Sequence, residues 1–194
     1  MIEPAPPFKR FEAWLAEAKA REPNNPTAMS VATVGADGRP SSRVVLLRGY
    51  DERGFVFYTN FGSRKIREWQ GNPYIALCFH WKSLDRQVRI EGRSEQVSDE
   101  EADAYFASRP RDSQIGAWAS KQSQVLEGRF ELEARVAKYA ARFGLGKVPR
   151  PPFWSGVRVV PDAFEFWAER PFRLHERETW RRINGSWQES RLFP

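Results

Sequence analysis

The pattern of hydrophobic and polar residues predicts one N-terminal helix followed by a series of short antiparallel strands. Apolar residues recur at helical spacing across residues 8–21, and Pro23 and Pro26 end that helix. Beyond it, β-branched and apolar runs are separated by turn dipeptides such as Asp37-Gly38 and Asn184-Gly185, which is typical of β-hairpins. The strands are predicted at residues 29–34, 41–47, 55–59, 74–81, 87–97, 156–160, 163–167 and 173–187.

Three further helices are predicted between these strands. Residues 62–70 form one, with Ser63 as its N-cap, and Ser98 with Glu101 forms a capping box that opens a short helix through Phe106. The longest helical pattern covers residues 123–143 and ends at Gly144. The fold class is therefore mainly β with peripheral helices, arranged as a small barrel or a strongly curved sheet. We expect a single domain over 1–194, with a helix and lead-in at 1–26 and closing strands at 149–194.

Composition limits the classes of protein that fit this pattern. Hydrophobic residues make up 41% and charged residues 29% of the 194 residues, which are ordinary globular values. No apolar run approaches the ~18 residues of a membrane span, and no secretory signal is evident, so a reducing cytoplasm is the expected location. One cysteine, Cys78, excludes an intramolecular disulfide and a cysteine-based zinc cluster. With two histidines, His80 and His175, we expect no metal site.

The charge balance favours anionic partners. The chain carries 31 basic and 25 acidic residues, a net charge of +6, which suits nucleic acid, phosphorylated metabolites or anionic cofactors. The basic residues are spread along the chain, which argues against a polybasic nucleic-acid arm. No glycine-rich loop joins a strand to a helix, so neither a Rossmann nor a P-loop site is indicated.

The start of the helix at 62–70 is a candidate anion site. Arg64 and Lys65 lie in its first turn, where free backbone N–H groups and the helix dipole also favour negative charge. A solvated basic turn explains the same residues about as well.

A second candidate is the set Tyr105, Arg109 and Ser113, whose members are four residues apart. A phenol, a guanidinium and a hydroxyl that converge would suit a phosphate dianion. Spacing alone favours the simpler interpretation that Arg109 pairs with an acid such as Asp103 or Asp112.

The third candidate is the pair Arg173 and His175. If this segment is a strand, the two side chains lie on the same side of it. An arginine can hold developing negative charge and a histidine can orient a ligand or relay a proton, although a lone histidine is more often structural.

Longer strings around these candidates are specific. RVVLL (43–47), FYTNFGSRK (57–65), RQVRIEG (86–92) and YFASRPRDSQIGAWASKQS (105–123) resemble the pyridoxamine 5′-phosphate oxidase family, as do EFWAERPFRLHER (165–177) and the closing RLFP. The resemblance spans nearly the whole chain, with the motifs in family order. It implies an FMN-binding split β-barrel that forms a homodimer with FMN at the interface. It also implies oxidation of pyridoxine or pyridoxamine 5′-phosphate to pyridoxal 5′-phosphate with O2, releasing H2O2 and, from the amine, ammonia.

The resemblance also assigns roles to individual positions of this chain. Those that match the family's FMN contacts are Arg43, Tyr58, Thr59, Arg64, Lys65, Gln87, Gln122, Ser123, Trp167 and Arg177. Those that match its substrate-phosphate contacts are Arg48, Tyr105, Arg109 and Ser113. Arg173 and His175 would bind the substrate ring opposite the flavin and act as catalytic residues.

Two departures from the family pattern leave alternatives open. Arg48 stands where the family usually has lysine, and Glu176 stands where aspartate is commoner. One alternative is a related flavin oxidase of another aromatic substrate, as in phenazine biosynthesis, although the SRPRDSQIGAW string (108–118) argues against it. A non-catalytic protein that binds flavin or pyridoxal phosphate is opposed by the presence of Arg173 and His175. Nucleic-acid binding through the basic surface ranks last.

Overall fold

The fold is a curved antiparallel sheet of nine strands with helices around it. The computed structural model describes residues 5–194, so the first four residues of the predicted lead-in lie outside it. The strand order is β2-β1-β5-β6-β7-β4-β3, with β8 paired to β7 and β9 to β8. The prediction of a mainly β protein is confirmed. The strands are β1 Ala28–Val34, β2 Pro40–Leu46, β3 Gly49–Asp51, β4 Gly54–Asn60, β5 Tyr74–Trp81, β6 Arg86–Gln96, β7 Trp154–Ala168, β8 Glu176–Ile183 and β9 Ser186–Arg191.

Within residues 5–194 five α-helices accompany the sheet, and the N-terminal one supplies much of the core. They are α1 Pro6–Arg21, α2 Arg64–Gly71, α3 Asp99–Ser108, α4 Arg111–Ala119 and α5 Glu131–Phe143. Within residues 5–194 no helix combines the length and the apolar character needed to cross a membrane.

Helix α1 closes the concave face of the sheet through aromatic packing. Phe11 is fully buried, and its ring lies 4.9 Å from that of Phe55 and 5.2 Å from that of Phe79. Edge-to-face and tilted contacts of this kind fill the space left between a helix and a curved sheet. The helical spacing of apolar residues in the sequence therefore reflects this packing.

The central ladder joins β6 and β7 along the whole length of β6, and it bends at one glycine. The register shifts between Glu91 and Gly92, and Asp162 is the extra residue on β7. A Cβ at Gly92 would lie 2.0 Å from the carbonyl oxygen of Val160, so only glycine allows this approach. The predicted strands 156–160 and 163–167 are therefore one strand, because the bulge carries the ladder past Pro161.

The prediction of a helix over 123–143 is wrong in its first third. Only α5, Glu131–Phe143, is helical, and residues 121–130 form an exposed loop. Ser123 has a left-handed φ of 69°, which a helix excludes, and Gly128 weakens helix formation. The apolar residues Leu126 and Phe130 of this segment are 57% and 70% exposed because no other part of residues 5–194 covers them. Gly144 does terminate the helix, with a φ of 47°.

Two predicted caps also differ in detail. Ser63 precedes α2, but its side chain caps no backbone N–H and instead accepts a hydrogen bond of 3.2 Å from Lys65 Nζ. At α3, Ser98 Oγ accepts from the Glu101 backbone N–H at 3.2 Å, as predicted. The Glu101 carboxylate, however, binds the buried Arg158 at 2.7 Å, since burying that guanidinium requires an anionic partner.

The segment at 173–187 is a hairpin only from Glu176 onward. Its turn at Asn184-Gly185 is confirmed, with φ values of 50° and 83°. Arg173 lies in a short 3₁₀ turn, and His175 precedes β8, so the expectation that both lie on one side of a strand is wrong. Phe172 and Arg173 have left-handed φ values of 58° and 62°, which interrupt any strand at this point.

The bulge gives a prediction about stability. Gly92→Ala should destabilise the fold by at least about 2 kcal/mol, because the new methyl group meets backbone atoms that cannot move independently. Gly71→Ala is the matched control, since a Cβ there meets nothing within 4 Å and alanine favours the helix. Urea denaturation of both variants measures the difference, and an unchanged midpoint for Gly92→Ala would contradict the structure.

Candidate functional site

A polar cleft opens between strands β2 and β4, the start of α2, and the α3–α4 pair. Its volume is about 810 Å³, within the usual range for cofactor and substrate sites. Of the 16 site residues predicted from the sequence, 11 line this cleft, although they come from distant parts of the chain. They are Arg43, Arg48, Tyr58, Thr59, Arg64, Lys65, Tyr105, Arg109, Ser113, Gln122 and Ser123.

Lys65 is a buried cation whose hydrogen-bond partners are all neutral. Its Nζ donates to Thr59 Oγ1 at 2.9 Å, to Ser63 Oγ at 3.2 Å and to Gln122 Oε1 at 3.2 Å. No carboxylate of residues 5–194 forms an ion pair with it. Burial, and after it the charge of Arg43, lowers the pKa of Lys65 to about 8. A buried ammonium without a counter-charge suits an anionic ligand.

The two arginines beside Lys65 share one carboxylate that the sequence analysis did not identify, that of Glu68. Arg43 Nη2 lies 3.3 Å from Glu68 Oε2, and Arg64 Nε donates to Oε1 at 2.7 Å. The spacing of Arg64 and Glu68 on one helix could have indicated their pair. Nothing in the sequence places Arg43 there, because that contact joins β2 to α2. We call Arg43, Arg64, Lys65 and their neutral partners Thr59 and Gln122 the Lys65 group.

A second group of cations lies at the junction of α3 and α4. Arg109 packs over the ring of Trp154 at 4.8 Å, and its Nη1 is buried without a hydrogen-bond partner. Burial, and to a lesser extent the charge of Arg48, lowers the pKa of Arg109. We call Arg48, Tyr105, Arg109 and Ser113 the Arg109 group.

The simpler interpretation of Arg109, an ion pair with Asp103 or Asp112, is wrong. Asp103 binds Arg150 at 2.5 Å, and no acid of residues 5–194 forms an ion pair with Arg109. The backbone after Arg109 turns at Pro110 and starts α4, which keeps the guanidinium on the cleft side. An unpaired, half-buried guanidinium beside another arginine is a site for a phosphate or a carboxylate.

Stacked aromatic rings lie between the charged side chains of the cleft. Tyr58 stacks on Tyr105 at 3.9 Å and on Trp154 at 5.3 Å. The Tyr58 ring fits because residue 156 is glycine, whose Cβ would otherwise lie 2.8 Å from it. Burial, followed by the charge of Glu101, raises the pKa of Tyr58 to about 12, so the phenol stays neutral.

The other five predicted site residues lie outside the cleft and form a separate cluster. Gln87 on β6 is opposite Trp167 on β7, which in turn is opposite Arg177 on β8. The ring of His175 lies 4.8 Å from that of Trp167. Trp154, in the cleft, and Trp167 lie at opposite ends of the 15-residue strand β7. We call Gln87, Trp167, Arg173, His175 and Arg177 the Trp167 cluster.

Within this cluster the side chains are held in defined ways. The backbone N–H of Arg170 donates to Nδ1 of His175 at 3.3 Å, which assigns the proton of the neutral ring to Nε2. Arg177 donates from Nε to Glu165 at 2.8 Å and from Nη1 to the carbonyl of Phe193 at 3.1 Å. Arg173 is exposed, so the structure leaves it free to meet a ligand.

Lys65 gives a prediction about pH. In the free protein burial lowers the pKa of Lys65 to about 8, whereas a bound phosphate dianion favours the ammonium form. Binding then takes up a proton, so affinity for a ligand that carries a phosphate dianion should fall as the pH rises from about 8 toward 10, by up to about tenfold per unit. Titration with a fluorescent phosphate monoester as probe measures this, and Lys65→Met should bind the probe more weakly without this decline. The same decline in Lys65→Met would assign the titration to another group.

Comparisons with known proteins identify the family of this chain. The sequence profile described as pyridoxamine 5′-phosphate oxidase matches residues 15–143, and that described as pyridoxine 5′-phosphate oxidase C-terminal dimerisation region matches residues 154–194. A Rhodospirillum rubrum protein named pyridoxine/pyridoxamine 5′-phosphate oxidase is 59% identical, with 100% of this chain and 98% of that protein covered. A Caulobacter vibrioides protein of the same name is 61% identical, with 97% and 85% covered.

Solved structures show the same fold. PhzG from Burkholderia lata, crystallised with tetrahydrophenazine-1-carboxylic acid, is 33% identical with a TM-score of 0.93, and the match covers 100% of this chain and 95% of that one. A Nostoc punctiforme protein described as pyridoxamine 5′-phosphate oxidase-related and FMN binding has a TM-score of 0.77 at 17% identity, with 95% and 97% covered. From the two matching profiles and the relatives at about 60% identity, the chain belongs to the pyridoxamine 5′-phosphate oxidase family and is an oxidase.

Proposed function

We propose that this protein is an FMN-dependent oxidase that converts pyridoxamine or pyridoxine 5′-phosphate to pyridoxal 5′-phosphate. For the amine, substrate, O2 and water yield the aldehyde, ammonia and H2O2; for the alcohol, substrate and O2 yield the aldehyde and H2O2. The observation that carries the proposal is one cleft with two cationic groups, in which neither the buried Lys65 nor the half-buried Arg109 has an anionic partner among residues 5–194. FMN and the substrate each bring one phosphate, so the two groups match two phosphate monoesters.

The Lys65 group fits the cofactor phosphate. Its ammonium and two guanidinium groups offer point-charge and planar donors to the three oxygens of a phosphate. Thr59 and Gln122 add neutral hydrogen-bonding groups on the same cleft wall. When bound, FMN supplies the two-electron oxidation that no side chain can perform.

The Arg109 group fits the substrate phosphate. The partnerless Nη1 of Arg109 and the exposed guanidinium of Arg48 lie with the Ser113 hydroxyl along the cleft. An arginine in place of the family's usual lysine still binds phosphate, with a planar fork in place of a point charge. The stacked tyrosines beside it offer a flat, apolar surface to an aromatic substrate.

The active site is completed, in this proposal, by the Trp167 cluster of a second copy of the chain. Apart from Gln87 on β6, the cluster lies within the region that matches the family's C-terminal dimerisation profile, residues 154–194. Exposed apolar side chains surround it, with Phe172 and Phe193 93% and 94% exposed, and Val44 beside the cleft is 69% exposed. Apolar surface at both places is what a two-fold interface would bury, and the two-fold axis would then produce two identical sites.

Arg173 and His175 of the partner would act on the bound substrate. The guanidinium of Arg173 would orient the ring so that its reacting carbon faces the flavin, and it would hold negative charge on the substrate. The Nε2–H of His175 would donate a hydrogen bond to the substrate's polar group. Both roles require placement within hydrogen-bond distance, and the packing of His175 on Trp167 restricts its ring.

Production of pyridoxal 5′-phosphate from both substrates under air, with and without FMN, tests the reaction. Arg173→Ala should lower kcat/KM by roughly a hundredfold because it removes positioning and charge stabilisation from the substrate side. Its FMN affinity should match the wild type, whereas Arg64→Ala should lose FMN first. Loss of flavin from Arg173→Ala with substrate affinity intact would reverse these assignments.

Complementation between subunits tests whether each site is shared. Arg109→Ala damages the cleft and Arg173→Ala damages the Trp167 cluster, so each homodimer should be nearly inactive at substrate concentrations below KM. A purified heterodimer of the two should regain about half of the wild-type activity, since one of its two sites then receives both intact halves. If each site were built from one chain, the heterodimer would stay as inactive as its parents.

The similarity to PhzG supports one alternative, oxidation of a tricyclic aromatic acid that lacks a phosphate. The Arg109 group argues against it, because a carboxylate alone leaves donors of Arg48 and Arg109 unused. If the protein binds FMN but oxidises neither pyridoxine 5′-phosphate nor pyridoxamine 5′-phosphate, a substrate of this second class would replace them in the proposal.

A further inference from the structure

We propose that Glu68 is a positioning residue that holds the two arginines of the Lys65 group in the geometry that receives the cofactor phosphate. The inference rests on the proposed function, since it concerns the same cleft. It adds a residue that contacts neither flavin nor substrate in the site as we propose it, and that acts through Arg43 and Arg64.

Glu68 is the point at which three separate elements meet. Its Oε2 accepts hydrogen bonds from Thr33 on β1 at 2.5 Å and from Ser41 on β2 at 2.6 Å. The same oxygen lies 3.3 Å from Arg43 Nη2, while Oε1 accepts from Arg64 Nε at 2.7 Å. The side chain is 9% exposed, so these bonds are largely shielded from water. One carboxylate therefore connects both guanidinium groups to the sheet.

The hydroxyls make this carboxylate a rigid anchor rather than a mobile counter-ion. Thr33 and Ser41 orient Oε2 and also accept hydrogen bonds from Arg43, from Nη1 and Nη2 respectively. The burial of Glu68 opposes ionisation, but its hydrogen bonds outweigh that effect and lower its pKa to about 2. The anchor is therefore charged throughout the physiological pH range.

The side chains of Arg43 and Arg64 differ in their exposure to solvent, and the Glu68 carboxylate restricts both of them. The Arg43 side chain is 21% exposed and the Arg64 side chain 59% exposed, and both line the cleft. An arginine that is free to move loses side-chain entropy when it binds a ligand, whereas one already fixed does not. Glu68 fixes Arg64 through Nε, which is not one of the guanidinium's two terminal nitrogens.

Charge gives a second reason for an acid at this position. Three cations and one anion give the cluster of Arg43, Arg64, Lys65 and Glu68 a net charge of +2, which matches a phosphate dianion. Without Glu68 the three cations would repel one another in the free protein. The carboxylate thus keeps the cations together when no ligand is bound.

Comparison of FMN with riboflavin, which lacks the phosphate, separates positioning from a general structural role. Glu68→Gln should raise the Kd of FMN at least about tenfold, because the amide loses the charge and offers an N–H to a guanidinium. Its Kd for riboflavin should stay within about twofold of the wild type. Flavin fluorescence quenching measures both constants. Glu22→Gln is the matched control, since Glu22 is also hydrogen-bonded, to Ser83 at 2.8 Å, but lies outside the cleft.

A milder variant keeps the test decisive if Glu68→Gln does not fold. Thr33→Val keeps the side-chain shape and removes one hydrogen bond that orients Glu68, so it should raise the FMN Kd about three- to tenfold and leave riboflavin binding unchanged. Equal losses for the two flavins, or unchanged or tighter FMN binding, would overturn the positioning role alone. Wild-type protein that binds no FMN would instead overturn the proposed function and this role together.

Discussion

The close approach of two backbones at Gly92 is the constraint on which the rest of the structure depends. Because Gly92 has no side chain to overlap the carbonyl of Val160, the long β6–β7 ladder can bend without being interrupted. The bend lets one face of the sheet curve around α1, where Phe11 and its aromatic neighbours form the core. It also allows β7 to run from Trp154 in the cleft to Trp167 near the other end of the same strand.

That extended strand divides the predicted site residues into two halves. The cleft holds cations whose chemistry suits phosphate, and the Trp167 cluster holds Arg173 and His175, to which the proposed function gives the work on the substrate. A single short strand could not separate them in this way. In the proposed dimer, two copies would bring each half opposite the other, which is a physical reason for a C-terminal dimerisation region in this family.

Inside the cleft the main physical difficulty is to concentrate positive charge in a half-buried space. The protein uses a different arrangement for each cation. Lys65 is surrounded by neutral oxygens, Arg109 lies over the Trp154 ring, and Arg43 and Arg64 share the Glu68 carboxylate. Each arrangement makes a cation tolerable without neutralising the cleft, which leaves net positive charge for ligands.

Hydrophobic periodicity and turn dipeptides in the sequence by themselves determined most strands, α1 and the mainly β class, because these features depend on neighbouring residues. The family motifs likewise identified 11 residues that do line one cleft. Only the tertiary structure decided that β7 is continuous past Pro161, that the loop before α5 is exposed, and that Arg109 has no acidic partner among residues 5–194. It also decided the contacts of Glu68 and the separation of the Trp167 cluster from the cleft. Those features depend on contacts between residues far apart in sequence, whose distances no local pattern encodes.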